Sequence, residues 1–232
     1  MTPHVTLRFR LLRWWGWLLV STLALLLLVS ARYFSVVDLD ARLWPLLFRG
    51  AMLVAHFTAL AAVWLLPVLV LMLLWPRPRV AIPVGVLFAA GIVTAVLIDT
   101  QVYQLYRFHI NAGVMSLLFG GAARETFVFS AQMYAELALI VASTLVAFGL
   151  VEWWLWRNIE SLSRRRWISR VAMTALVVSL VSFHSVHVWA DVARYEPLLE
   201  QTEVLPMRYA ATAKRLLHAL GVDVKTTPFT RA

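Results

Sequence analysis

Residues 11–30, LLRWWGWLLVSTLALLLLVS, decide the fold class. A helix of that length rises about 30 Å, the thickness of the hydrocarbon core of a bilayer. From Leu23 to Val29 every residue is aliphatic. Arg8, Arg10 and Arg13 around its start resemble the flank of a signal peptide. The apolar core is long for a signal peptide, however, and no small-residue cleavage site precedes Arg32. The segment reads as a retained membrane anchor.

Four more apolar segments follow, at residues 46–75, 80–103, 129–156 and 168–189. Pro67 predicts a kink within the second. Composition agrees: 62% of the chain is hydrophobic and only 14% charged, against about a quarter charged in soluble domains. The 11 Trp and 6 Tyr suit interfacial aromatic belts. The expected fold is an all-α integral membrane protein with five transmembrane helices. With no cysteine, disulfide frameworks, thiolate metal sites and cysteine nucleophiles are excluded. The net charge of +9 suits anionic lipid head groups. It suits nucleic acid poorly, because it lies in short loops between spans.

Basic residues set the expected orientation. Arg8, Arg10 and Arg13, then Arg77 and Arg79, then Arg157, Arg164, Arg165, Arg166 and Arg170 occupy alternate ends of the spans. The positive-inside rule puts those ends in the cytoplasm. The opposite ends are mixed: Arg32, Asp38, Asp40, Arg42 and Arg49, then Arg107, Arg124 and Glu125. The N-terminus is therefore expected inside and the C-terminus outside, periplasmic if the cell has two membranes. Residues 1–190 form the expected transmembrane domain and 191–232 an interfacial linker. The linker is too short for a core of its own. Its last stretch, VDVKTTPFTRA from Val222, reads as a link to something further, so the chain is expected to be a fragment of a longer protein.

Ionisable groups near spans are functional candidates. Asp99 lies near the outer end of span three; its bland reading is a head-group-level residue that orders the outer loop. His56 lies in span two, and His184 and His187 in span five. Without nearby carboxylates the histidines are a weak metal signal, and hydrogen bonding between helices is the plainer reading. Glu152 is within expected reach of the arginine-rich inner loop, whereas Glu136, about two turns into span four, needs a partner or a watery cavity. The loop FHINAGVMSLLFGGAARETFVFS from Phe108 is apolar enough to dip into the interface. In SLSRRR, from Ser161, Arg164, Arg165 and Arg166 are candidates for anionic lipid, or simply a topology signal. No phosphate loop, HExxH or GxSxG motif occurs. No catalytic residue, metal site or cofactor is expected in this chain.

Beyond the last span, residues 205–221 read LPMRYAATAKRLLHALG. Pro206 suits a first helical turn and Gly221 a position just past an end. On such a helix Tyr209, Ala213, Leu216, Leu217 and Leu220 share one side. Arg208, Thr212 and Arg215 share another, flanked by Lys214 and His218. A short, basic, apolar-backed helix of this kind lies in an interface and can hold anionic head groups.

Several segments together carry a family resemblance: ARYFSVVD from Ala31, AHFTALA from Ala55, LIDTQVYQLYRFHIN from Leu97, SLSRRR from Ser161, SFHSVHVWAD from Ser182, and LPMRYAATAKRLLHALG itself. In order and spacing the chain resembles the N-terminal membrane domain of the YejM/PbgA family of inner-membrane, sulfatase-like proteins. The resemblance implies five transmembrane helices, an interfacial linker and a periplasmic sulfatase-like domain that is missing here. It also implies a role in outer-membrane lipid homeostasis. Lipopolysaccharide would be sensed at the periplasmic leaflet, and a LapB adaptor acting with the FtsH protease would be restrained. Cardiolipin is the other ligand proposed for the family. The family's Thr-Ala-Arg-Arg contact with lipid A corresponds here to Thr212, Ala213, Lys214 and Arg215. Lysine at 214 keeps the charge but lacks the bidentate fork of arginine.

The leading expectation is a non-catalytic, lipid A-sensing regulator in the inner membrane. Thr212, Lys214, Arg215 and Arg208 would meet the head group, and Leu216, Leu217 and Leu220 the acyl layer. Two alternatives stay open: a membrane anchor for a periplasmic lipid-modifying phosphatase or transferase, and a cardiolipin-binding or transport protein.

Overall fold

The computed structural model describes residues 3–36, 42–119, 130–164, 166–193 and 196–207. These residues are almost entirely helical. In chain order they form α1 (Pro3–Ser30), a 3-10 segment (Ala31–Val36), α2 (Leu43–Trp64), α3 (Leu66–Leu74), α4 (Pro78–Tyr106), α5 (Ala112–Phe119), α6 (Ala131–Arg164), α7 (Arg166–Ala193) and α8 (Glu196–Glu203). Five of them, α1, α2, α4, α6 and α7, are long and apolar enough to cross a membrane.

Helix α1 lies at the centre, against α2, α3, α4 and α6. Trp14, Leu18, Thr22 and Leu26 are wholly buried along one stripe of it, the period of a helix face turned into a bundle. On α4, Ala81, Gly85, Ala89 and Val93 form a matching stripe of small and branched residues. Gly85 is where the two helices close up: a Cβ there would sit 2.5 Å from Cη2 of Trp14 and 3.0 Å from Cδ2 of Leu18. Small residues let backbones approach, and in lipid such packing replaces the hydrophobic drive. Helix α6 adds Phe148, Glu152, Leu155 and Ile159, again at spacings of four and three. Helix α7 packs chiefly on α2, where Phe48 meets Phe183 with ring centroids 5.8 Å apart. The outer flanks of α6 and α7 stay exposed, as lipid-facing surfaces should.

The expected kink at Pro67 is a break. Proline has no N–H to give to the Val63 carbonyl and crowds it. Helix α2 stops at Trp64, and α3 restarts at Leu66 with Pro67 in its first turn. Two indoles stabilise the break. Trp15 Nε1 donates to the Leu65 carbonyl at 3.2 Å, and Trp64 Nε1 donates to the Phe88 carbonyl at 2.8 Å.

At the basic end, Arg10 stacks 4.6 Å over the Trp156 ring and lies 3.7 Å from Oε1 of Glu160. It is Glu160, and not Glu152, that meets a basic residue there. Glu152 is wholly buried in the bundle, where it accepts a 2.9 Å hydrogen bond from Ser21 Oγ of α1. The side chains of Arg10 and Glu160 are 39% and 71% exposed, so solvent screens the pair. Glu160→Gln is therefore expected to change stability by less than about 1 kcal/mol, read as an unchanged melting temperature. Glu136 accepts from Gln132 one turn earlier, at 2.8 Å, on an exposed face.

Candidate functional site

The ends of α1, α4 and α7 and the starts of α2 and α6 lie together, opposite the arginine-rich end. Two polar clusters form near them. The first is built on Asp99, which is 5% exposed. Its Oδ2 accepts from the Tyr33 hydroxyl at 2.6 Å and lies 2.7 Å from Nδ1 of His109. Its Oδ1 accepts from the Ile110 backbone N–H at 2.6 Å. A carboxylate only accepts, so His109 donates from Nδ1. The rings pack around the same point. Tyr103 and His109 stack at 4.5 Å, and Tyr33 stands edge-on to both.

The local sequence explains why these groups meet. Arg107 takes a left-handed φ of 61° and ends α4, which turns residues 108–111 back over the helix end. Asn111 then starts α5, its Oδ1 accepting from the Val114 N–H at 3.0 Å. The loop expected to dip into the interface thus contains a capped helix through Phe119. Nearby, Arg32 donates to Gln101 at 2.7 Å, and Gln104 donates to the Arg32 carbonyl and to Ser35. Asp99 therefore ties together the end of α1, the end of α4 and the entry to α5. Tyr33 and His109 lie in segments that carried the family resemblance, yet sequence reading gave them no role. Their pairing spans 66 and 10 residues from Asp99, which no local pattern reveals.

The second cluster is a groove of about 340 Å³ between α2, α7 and the turn after α8. His56, His184 and His187 all line it, with Leu60, Val63 and Thr202 among their neighbours. Two helices far apart in sequence thus bring three separately noted histidines together. Phe183 stacks on His187 with centroids 5.7 Å apart. No group of three His, Cys, Asp or Glu suited to a metal occurs among the described residues.

The turn that closes this groove leads into the basic tail. Val204 and Leu205 are buried, and the His56 ring lies beside the Pro206 backbone. Met207 has a φ of 51°, a left-handed conformation through which no right-handed helix passes. Pro206 is therefore not in the first turn of a helix as expected; it lies in a turn pinned to α2. An additional helix, α8, precedes that turn and packs on α2 and α7. Its short, polar sequence EPLLEQTE gave no period to read.

The residues named for lipid A, Arg208, Thr212, Ala213, Lys214, Arg215, Leu216, Leu217 and Leu220, lie outside the described residues, as does Arg165. Arg164 is exposed at the end of α6, and Arg166 begins α7.

A family model described as a domain of unknown function, DUF3413, matches residues 4–230. The "Inner membrane protein YejM" of Salmonella typhimurium is 27% identical over 214 residues, 92% of this chain and 36% of that protein. The protein of the same name from Salmonella typhi matches equally. An uncharacterised protein of Haemophilus influenzae is 26% identical over 217 residues, 91% of this chain and 36% of its own length. The chain thus spans little more than a third of these curated relatives.

Proposed function

Because the chain belongs to the DUF3413 family, as a multi-pass membrane protein matching the N-terminal membrane domain of YejM, we propose that it is a non-catalytic regulator that senses lipopolysaccharide through lipid A. The tail after Met207 holds the head group, with Thr212, Lys214, Arg215 and Arg208 meeting phosphate. Leu216, Leu217 and Leu220 meet the acyl layer. Lipid A joins phosphates to many acyl chains, and this two-part chemistry matches a basic, apolar-backed segment at a membrane surface.

The observation that carries this reading is the pinned turn. Leu205 is buried and Pro206 lies beside His56 of α2, so the turn that precedes the basic tail is packed against the bundle. A ligand-holding segment anchored at its base loses less freedom on binding. The same turn touches α2, and α8 before it touches α2 and α7. Lipid occupancy therefore has a physical route into the spans. It becomes a signal only if lipid favours one arrangement of these helices over another. A LapB-type adaptor acting with FtsH is the proposed recipient of that signal. On this reading the tail faces the periplasm, and the protein resides in the inner membrane.

Lys214→Ala with Arg215→Ala removes two charge-assisted phosphate contacts. Such contacts contribute about 1.5–3 kcal/mol each before screening. Co-purified lipid A, quantified by mass spectrometry, is expected to fall at least about tenfold while helical content stays unchanged. Unchanged lipid A in the folded double variant contradicts the assignment.

A further inference from the structure

We propose that the histidine-lined groove takes an acyl chain bearing a hydroxyl close to its carboxyl end, and that His56 accepts a hydrogen bond from that hydroxyl. This deepens the lipid A reading and rests on it, since the primary acyl chains of lipid A are 3-hydroxylated, whereas ordinary phospholipid chains are not.

Shape supports a chain. The α2 wall runs from Ala55 and His56 through Ala59 and Leu60 to Val63, a rise of about 12 Å along the helix. His56 is nearer the end from which the tail emerges, and Val63 is deeper. The groove is thus polar at its mouth and apolar inside, aligned with the helix axes as a lipid chain is. Ala59 and His184 are exposed, so the groove opens on the flank of the bundle, where a chain enters sideways from the bilayer.

Hydrogen bonding supports the hydroxyl. His56 lies beside the Pro206 backbone, while its Nε2 is buried and has no partner. A neutral ring that donates from Nδ1 keeps an acceptor at Nε2. A buried acceptor lacking a donor is unfavourable. A simple acyl chain or its ester offers no donor. A 3-hydroxyacyl chain supplies an O–H a short distance from its ester, with the remaining methylenes free to run toward Leu60 and Val63. His184, exposed and lining the same groove, offers a donor for the ester oxygen.

The test uses the purified full chain in detergent and two synthetic probes. One is glucosamine phosphate carrying 3-hydroxytetradecanoyl chains; the other is the same head group with tetradecanoyl chains. Retention is read by native mass spectrometry. The wild-type chain is expected to prefer the hydroxylated probe by about three- to tenfold, the range of one hydrogen bond. His56→Leu is expected to abolish that preference, and His56→Gln, which restores an acceptor, to keep part of it. Because His56 also lies beside the turn, Ala59→Phe is the second variant. It blocks the groove from its open side, leaves His56 in place beside Pro206, and should weaken retention of both probes. Equal retention of the two probes by wild type overturns the proposal. So does an undiminished preference in folded His56→Leu, or undiminished retention in Ala59→Phe. Lys214→Ala/Arg215→Ala separates the two readings. If it leaves retention unchanged while the hydroxyl preference persists, the head-group assignment fails and the groove stands. If it lowers retention of both probes while His56→Leu keeps the preference, the groove fails and the head-group assignment stands.

Discussion

Asp99→Ala is expected to destabilise the protein by about 3–5 kcal/mol. Three donors converge on this carboxylate: the Tyr33 hydroxyl, the His109 ring and the Ile110 N–H, all at 2.6–2.7 Å. Alanine leaves each without its acceptor. An unsatisfied buried donor is unfavourable by about 1–3 kcal/mol, more when charge is involved. Full addition is not expected, because the three bonds form one network and the His109 side chain retains 17% exposure. The effect should also be local. Hydrogen exchange is expected to accelerate at residues 107–111, since Asp99 holds that segment over the end of α4. Tyr33→Phe removes a single donor and keeps the ring packing, so about 1–2 kcal/mol is expected. Asp99→Asn keeps an acceptor for Ile110 but turns an amide NH₂ toward two donors, and should fall between. An Asp99→Ala variant that melts with the wild type contradicts this account.

Gly85→Ala should also destabilise, although alanine is the better helix former. Propensity favours alanine by about 1 kcal/mol. Against that, the new Cβ meets Trp14 at 2.5 Å and Leu18 at 3.0 Å. Trp14 is wholly buried between helices, so its ring cannot swing into lipid. Overpacking of this kind costs about 1–3 kcal/mol, and a net loss of about 1–2 kcal/mol is expected. Trp14→Phe makes room, so adding it to Gly85→Ala should be less harmful than the separate losses sum to. Thermal unfolding in detergent measures both. A Gly85→Ala variant with a raised melting temperature shows that α1 and α4 do not close on this contact.

Five spans were legible because each is one long apolar run, and hydropathy reads runs without knowing their neighbours. The described helices extend beyond the predicted segments, into arginine-rich ends such as Arg157 to Arg164. Helix formation does not stop where apolarity does. Pro67 was visible, but whether a proline kinks or breaks a helix depends on contacts around it, here the indole of Trp15 on the Leu65 carbonyl and that of Trp64 on the Phe88 carbonyl of α4. The clusters were less legible for a different reason. Asp99 and the three histidines were singled out as polar groups in apolar surroundings. What joins them is helix pairing, α7 beside α2 and the 3-10 segment beside α4, and nothing local encodes that order. Arg107 and Met207, two non-glycine residues with positive φ, redirect the chain at each cluster, and neither residue type announces it.

On the proposed reading this membrane domain holds lipid A. The most direct test is the identity of the lipids retained by the chain when it is purified in mild detergent from a lipopolysaccharide-producing cell and analysed by mass spectrometry. The expected result is lipid A near one copy per chain, enriched over its share of the membrane extract. Cardiolipin alone, or phospholipids in bulk proportion with no lipid A, contradicts the claim.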